Sequence, residues 1–381
     1  MKLYRFLTSI FISMLPAVSV VADQYLSGHE GKIILVDGAG AVNPNPEPDR
    51  LMLVDTTRPE NNRMIALSNS VIGPPSNLSY SPESGYLLVA DSMRISEGEM
   101  APEHFVSILS LQGGEMKPVS RVRVGLQPSG VDLNAKGEMA LVANRLDGTI
   151  SVLKLESGLW YLAQTVQVAT AEGEVTDVSF TPDQQHAVFT VRESQKLGLL
   201  TLDPESGKWH SSQPLVDLPG KPYRVVVDPA GRYAYTNLAH VDLKGAGSLV
   251  SIRLEYPKMV VDQIVDLGIR SPESVEISPD GKWLMCPMMA GSNLAKSDPD
   301  YDKKGRLLIY EKGDRLSLFQ TIACGAIPEG TAFSKDANEI ILQSHPNEEL
   351  EIYVRSSSQE TFVLKKKIPV EGYPSSLIPL R

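Results

Sequence analysis

The chain has 381 residues, 42% of them hydrophobic and 22% charged, with 29 Gly and 27 Pro. That is a globular composition rich in turn formers and long enough to bury a large core. A formal net charge of −10 repels phosphate backbones and anionic lipid surfaces, so neither nucleic acid nor a membrane surface is an expected partner. The chain opens on a positive head (Lys2, Arg5), an apolar middle (Phe6 to Leu15) and a small-residue site at Val20-Val21-Ala22. This is the pattern of a secretory signal peptide over residues 1–22. The apolar run is too short and broken to span a bilayer comfortably; an uncleaved anchor is the alternative. Cleavage leaves one domain, 23–381, with 34 basic against 46 acidic residues, expected in the periplasm or outside the cell.

Three alternating segments come next: "KIILVD" from Lys32, "RLMLVD" from Arg50 and "RMIALS" from Arg63. Each reads as a strand. A repeat then starts at Pro75 with "PSNLSYSPESGYLLVAD" and returns at Pro128, Glu174, Pro222, Pro272 and Pro328, with a truncated copy at Pro374. Spacings are 53, 46, 48, 50, 56 and 46 residues. In the copy at Pro272, Val275 and Ile277 alternate with polar neighbours as a strand, and "SPDG" supplies a tight turn. A second apolar strand follows, and two more complete the unit, such as "GTISVLKL" from Gly148 and "LAQTVQVA" from Leu162. Long helical periodicity is absent.

Four short strands repeated at this period predict an all-β, seven-bladed β-propeller of four-stranded antiparallel blades. The last copy contributes one strand, and the three N-terminal segments are expected to join it and close the ring.

The segment "ALVANRLDGTISVLKL" (140–155), with Asn144 and Gly148 at its turn, resembles the signature of YVTN-type seven-bladed propellers. "SVIGPPSNLSYSP" (70–82), "PESVEISPDGKWL" (272–284) and "GSNLAKSD" (291–298) resemble an exported bacterial subgroup of the same lactonase-like superfamily. The resemblance implies the fold over nearly the whole mature chain. Lactonases, cycloisomerases and secreted propellers without a demonstrated reaction all share it, so it does not choose an activity. No His, Arg and Glu set of a lactonase site matches residue by residue.

In such a ring the first strand of each blade lines the central channel, and ligands occupy the face where those strands begin. The residues just after each anchor are Ser76, Ser129, Val175, Tyr223, Glu273, Glu329 and Ser375. Glu273 and Glu329 match in adjacent blades, with Arg224 one blade away. Two facing carboxyls serve as acid and base or hold a cation, and Arg224 binds a substrate carboxylate. Alternatively each Glu accepts backbone N–H bonds or faces water. Tyr223, Asn77, His240 and His345 are candidate ligand-binding residues on the same face. Asp298, Asp300 and Asp302 alternate as Ca²⁺ ligands do, although Lys303 and Ile309 stand where an EF-type loop has Gly and Glu. Cys286 and Cys324 are a disulfide pair or two buried thiols. No nucleophile elbow, zinc pair, C-x-x-C or phosphate loop occurs, and no cofactor is expected.

The leading expectation is therefore an exported propeller that binds a small molecule or an envelope protein on its loop face. A lactonase-like hydrolase or cycloisomerase acting on a carboxylate-bearing lactone is the first alternative. An envelope scaffold, using the blade edges or the loops 91–104 and 288–305, is the second.

Overall fold

Pro and a Ser/Thr/Asp/Asn-led turn punctuate each repeat, and the structure shows what they do. In the Ser278 turn the hydroxyl accepts the Trp283 N–H at 2.9 Å and donates to Asp280 at 2.6 Å. Gly281, at φ 70°, accepts the left-handed position that reverses the chain. Gln184 (φ 59°) and Ala337 (φ 58°) hold the same position in other blades, so glycine is favoured there without being required. The computed structural model describes residues 23–381 except Gly38 and 357–359. The leader expected over residues 1–22 lies outside the described residues.

Second and third strands are apolar almost continuously because both of their faces are covered. In Met139–Asn144, Ala140 and Val142 pack toward the preceding blade, while Leu141 and Ala143 pack toward the following one. The same division recurs round the ring. Among the described residues it produces seven apolar cores, one at each junction between neighbouring blades. Seven four-stranded sheets result, each antiparallel from first strand to fourth; the third blade adds the short strand Val216–Asp217 beside its third strand. Fourth strands such as Leu159–Gln167 are mostly exposed. The basic run Lys365–Lys367 lies on one of these, Phe362–Pro369, where Lys365 pairs with Glu339 at 3.0 Å and Lys367 with Glu351 at 2.8 Å.

Both chain ends build the closing blade, in the order Tyr373–Pro379, Gln24–Glu30, Arg50–Asp55, Arg63–Ala66. Tyr25 pairs with Pro379 on one side and Val54 on the other. One strand assignment is corrected here. The segment beginning at Lys32 is not in the blade; its place is taken by Gln24–Glu30, which lacks a strong apolar alternation. Ile33–Val36 pairs instead with Ala39–Val42 as a separate two-stranded hairpin. Lys32 roots that hairpin. Its ammonium lies 2.9 Å from Asp49 and 3.2 Å from Asp91 and also meets the Ser68 hydroxyl. Asp49 in turn accepts the Gly31 N–H at 2.9 Å.

The cysteines are free, so the disulfide expectation is also corrected. Cys286 is on Trp283–Met288 and Cys324 on Leu316–Cys324, with Gly305–Lys312 hydrogen-bonded between them. Two strand spacings, roughly 9–10 Å, exceed the reach of a disulfide. The side chains also face opposite sides of the sheet, one in each adjoining core.

Candidate functional site

A backbone irregularity at the start of the first strands builds the site. Register shifts fall between Pro128 and Val131, Pro222 and Val225, and Pro328 and Thr331. In the fifth blade the ladder is reduced to a Pro272–Met288 bridge and the strand Glu276–Ile277. Bulges of this kind re-aim side chains. Here they present Tyr223, Glu273 and Glu329 to the mouth of the channel, where they line a cavity of about 480 Å³.

A second ring forms where the second strands end. The N–H groups of Arg145, Arg192 and His345 donate to Gln127, Glu174 and Ile327 at 3.0, 2.9 and 3.2 Å. Those three acceptor residues stand at φ 57°, 56° and 44°, a left-handed conformation that non-glycine residues rarely adopt. The constrained link sends Arg145, Arg192 and His345 into the cavity wall. Sequence reasoning missed both arginines. The signal was available, because Arg145 and Arg192 follow their second strands in the register of His345.

Glu273 and Glu329 are each only 6% exposed. Burial pushes the Glu273 carboxyl up to about 8, against Arg192 and the Tyr223 hydroxyl, which pull it down. Burial, reinforced by Glu273, holds Glu329 well above the carboxylate range. The two therefore behave as one titrating pair. Arg192 supplies positive charge beside them: its guanidinium lies 5.9 Å from the Tyr223 ring centroid, and its Nε meets no partner among the described residues. Glu174 bridges the arginines, 2.6 Å from Arg145 and 3.6 Å from Arg192.

Burial lowers the His345 imidazole to about 4, so it is neutral. Its Nδ1–H donates to the Pro374 carbonyl at 3.2 Å. That leaves Nε2 as a buried lone pair without a partner among the described residues. The Asn293 Oδ1, also in the wall, is buried and unpartnered among the described residues. Buried polar atoms of this kind mark where a ligand completes the hydrogen bonding.

Other sequence-derived candidates lie apart from the cavity. Arg224 turns down the channel, donates to the Pro75 carbonyl at 3.0 Å and pairs with Glu276. It lines a separate void of about 180 Å³ with Asp132 and Asp177. Those two acids accept the Phe180 and Val225 N–H groups of the next blades at 2.8 and 2.9 Å. Asn77 is buried and donates to the Asn69 and Ala90 carbonyls, so it staples backbone. His240 is exposed and paired with Asp242 at 2.6 Å. The alternating aspartates do not converge: Asp300 pairs with Arg270 at 2.8 Å, Asp302 with Arg306 at 2.6 Å, and Asp298 accepts the Asp300 N–H. Among the described residues no acidic or His/Cys cluster suits a metal ion.

The roof comes from outside the repeats. Ile33, Ile34 and Leu35 of the hairpin, Ile72, Leu243 from the fourth blade's insertion and Leu294 all line the cavity. At Gly40 the hairpin lies beside Ile72 and Met100, with room for a Cβ at ordinary van der Waals distance from both.

No family model matches the chain. Solved structures share its fold at low identity. A candidate 6-phosphogluconolactonase from Bacteroides uniformis superimposes with a TM-score of 0.71 at 17% identity, over 94% of this chain and 99% of that one. The periplasmic gluconolactonase PpgL of Pseudomonas aeruginosa gives 0.67 at 18%, again over 94% and 99%. Hydrazine synthase of Kuenenia stuttgartiensis gives 0.60 at 16%, over 82% of this chain and 91% of its own. One architecture thus carries unlike chemistries. The chain shares the fold of lactonase-named propellers, and whatever chemistry it performs resides in the side chains of its own cavity.

Proposed function

We propose that the protein is a lactonase-like hydrolase acting on a small cyclic ester at the mouth of its channel. The observation that carries this reading is the buried Glu273–Glu329 pair opening into a cavity flanked by Arg145 and Arg192. One carboxylate takes a proton from water as the water oxygen bonds to the ester carbonyl carbon. The arginines stabilise the oxyanion that forms. Collapse breaks the ring C–O bond, and the other carboxylic acid protonates the departing oxygen. One water is added, a hydroxy acid is released, and the pair again holds one proton, on the opposite partner. Lactonase names among proteins of the same fold support this class of substrate.

Acid release from a panel of lactones tests it, with wild type beside Glu329→Gln. Turnover that is absent, or unaffected by the substitution, counts against hydrolysis. Binding without turnover is the second reading, favoured by the unpartnered Arg192 Nε, His345 Nε2 and Asn293 Oδ1. A hydroxy acid then raises Tm while no lactone is consumed. The leader-like composition of residues 1–22 supports an exported location, which cell fractionation checks.

A further inference from the structure

The cavity has two chemically different ends. Its floor carries Glu273, Glu329, Arg192 and His345, whereas its more exposed mouth is framed by Ile34, Leu35, Ile72, Leu243 and Leu294 beside Asp37 and Arg270. Three of these mouth residues come from segments the blade repeat does not need: Ile34 and Leu35 from the separate hairpin and Leu243 from the insertion after Tyr233–Ala239. Leu243 is 48% exposed and stands at φ 60°. An aliphatic side chain is rare in that conformation and gains nothing from solvent. The loop nevertheless fixes it there, with the Leu243 N–H on the His240 carbonyl at 2.9 Å and Asp242 accepting the Lys244 N–H at 2.8 Å. Val36 and Val241, 48% and 43% exposed, add apolar surface on the same hairpin and insertion.

A polyhydroxylated ring finds hydrogen-bond partners on the floor, but hydroxyls carried out against the aliphatic part of the mouth are buried without one. An alkyl chain removes the same surface from water at a gain. The cavity, at about 480 Å³, falls in the ordinary range of small-molecule sites, room for a ring and a chain together. Building on the hydrolase reading above, we propose that the natural ligand is a cyclic ester bearing an apolar chain. Its ring lies on the Glu273–Glu329 floor, and its chain runs out between the hairpin and Leu243.

The test compares glucono-δ-lactone, γ-butyrolactone and γ-lactones of increasing alkyl length, reading kcat/KM by acid release. It also reads Tm with the matching hydroxy acids. Leu243→Asn is the variant, because Asn tolerates the left-handed backbone and the site is half exposed. The expected result is a rise in kcat/KM of up to about fourfold per methylene, with the long-to-short ratio reduced about tenfold in Leu243→Asn. Turnover that ignores chain length, or prefers glucono-δ-lactone, overturns the proposal and leaves the hydrolase reading standing. No turnover of any lactone, with Tm shifts that grow with chain length, supports the ligand class and overturns hydrolysis. Neither turnover nor a Tm shift overturns both.

Discussion

Glu273 and Glu329 occupy the position that Ser129 and Ser375 fill in other blades, so the fold tolerates a small neutral residue there. Their charge is what the fold leaves unexplained. Glu329→Gln removes the acid with little change of shape and is expected to lower turnover 10²- to 10⁴-fold. Arg192→Gln is expected to cost about 10²-fold in kcat through the oxyanion. The pH profile follows from the directions of the shifts. At neutral pH the pair keeps its protons, so kcat/KM should rise as pH passes about 8 and Glu273 becomes a base. It should fall at higher pH as Glu329 is lost as the acid. A profile flat from pH 6 to 9 would contradict this assignment. The post-anchor ring made both glutamates visible in the sequence, since a match between repeats survives without coordinates. Arg224 was misjudged because the bulge after Pro222 separates neighbours: Tyr223 enters the cavity and Arg224 turns down the channel.

At the scale of elements, the hairpin beginning at Ile33 was not legible. Its alternation suits a blade strand equally well, and pairing partners are a tertiary choice. The carboxylates of Asp49 and Asp91 determine the outcome by holding Lys32, whose side chain is 14% exposed. Lys32→Met leaves both acids buried without that cation and is expected to cost about 3–5 kcal/mol in denaturant unfolding. The cysteines provide a second check at this scale. Burial raises both thiols far above their ordinary range, so neither forms an appreciable thiolate. A thiol reagent is expected to titrate none in the native protein and two after unfolding; fewer than two under non-reducing denaturation would restore the disulfide.

For the molecule as a whole, the repeat spacing conveyed the architecture because each blade needs the same turn and the same two-sided apolar strands. Stability should carry the imprint of the buried acids. Glu273 at about 8 and Asp132 at about 7 hold protons in the native state that the unfolded chain has released. Stability therefore falls as pH rises through that range. His29 and His345, lowered to about 4, act in the opposite sense, but only between about 4 and their ordinary value of 6.5. From pH 6.5 to 8, each proton held throughout contributes up to about 2 kcal/mol, at ~1.36 kcal/mol per unit. Denaturant unfolding should show that decline in wild type and a shallower one in Glu273→Gln.

The closing blade has a consequence in time. Gln24–Glu30 is the first strand of the described chain to be synthesised, yet one of its two neighbours, Tyr373–Pro379, is among the last. Until that neighbour arrives, one edge of the early strand has no partner in its own sheet. The cavity waits with it: Pro374 holds His345 and Ser375 lines the wall, both on that final strand, while the roof follows directly from the first. Assembly of the ring and assembly of the site are thus a single late event, and a chain stopped short of residue 373 would carry both glutamates and no finished cavity.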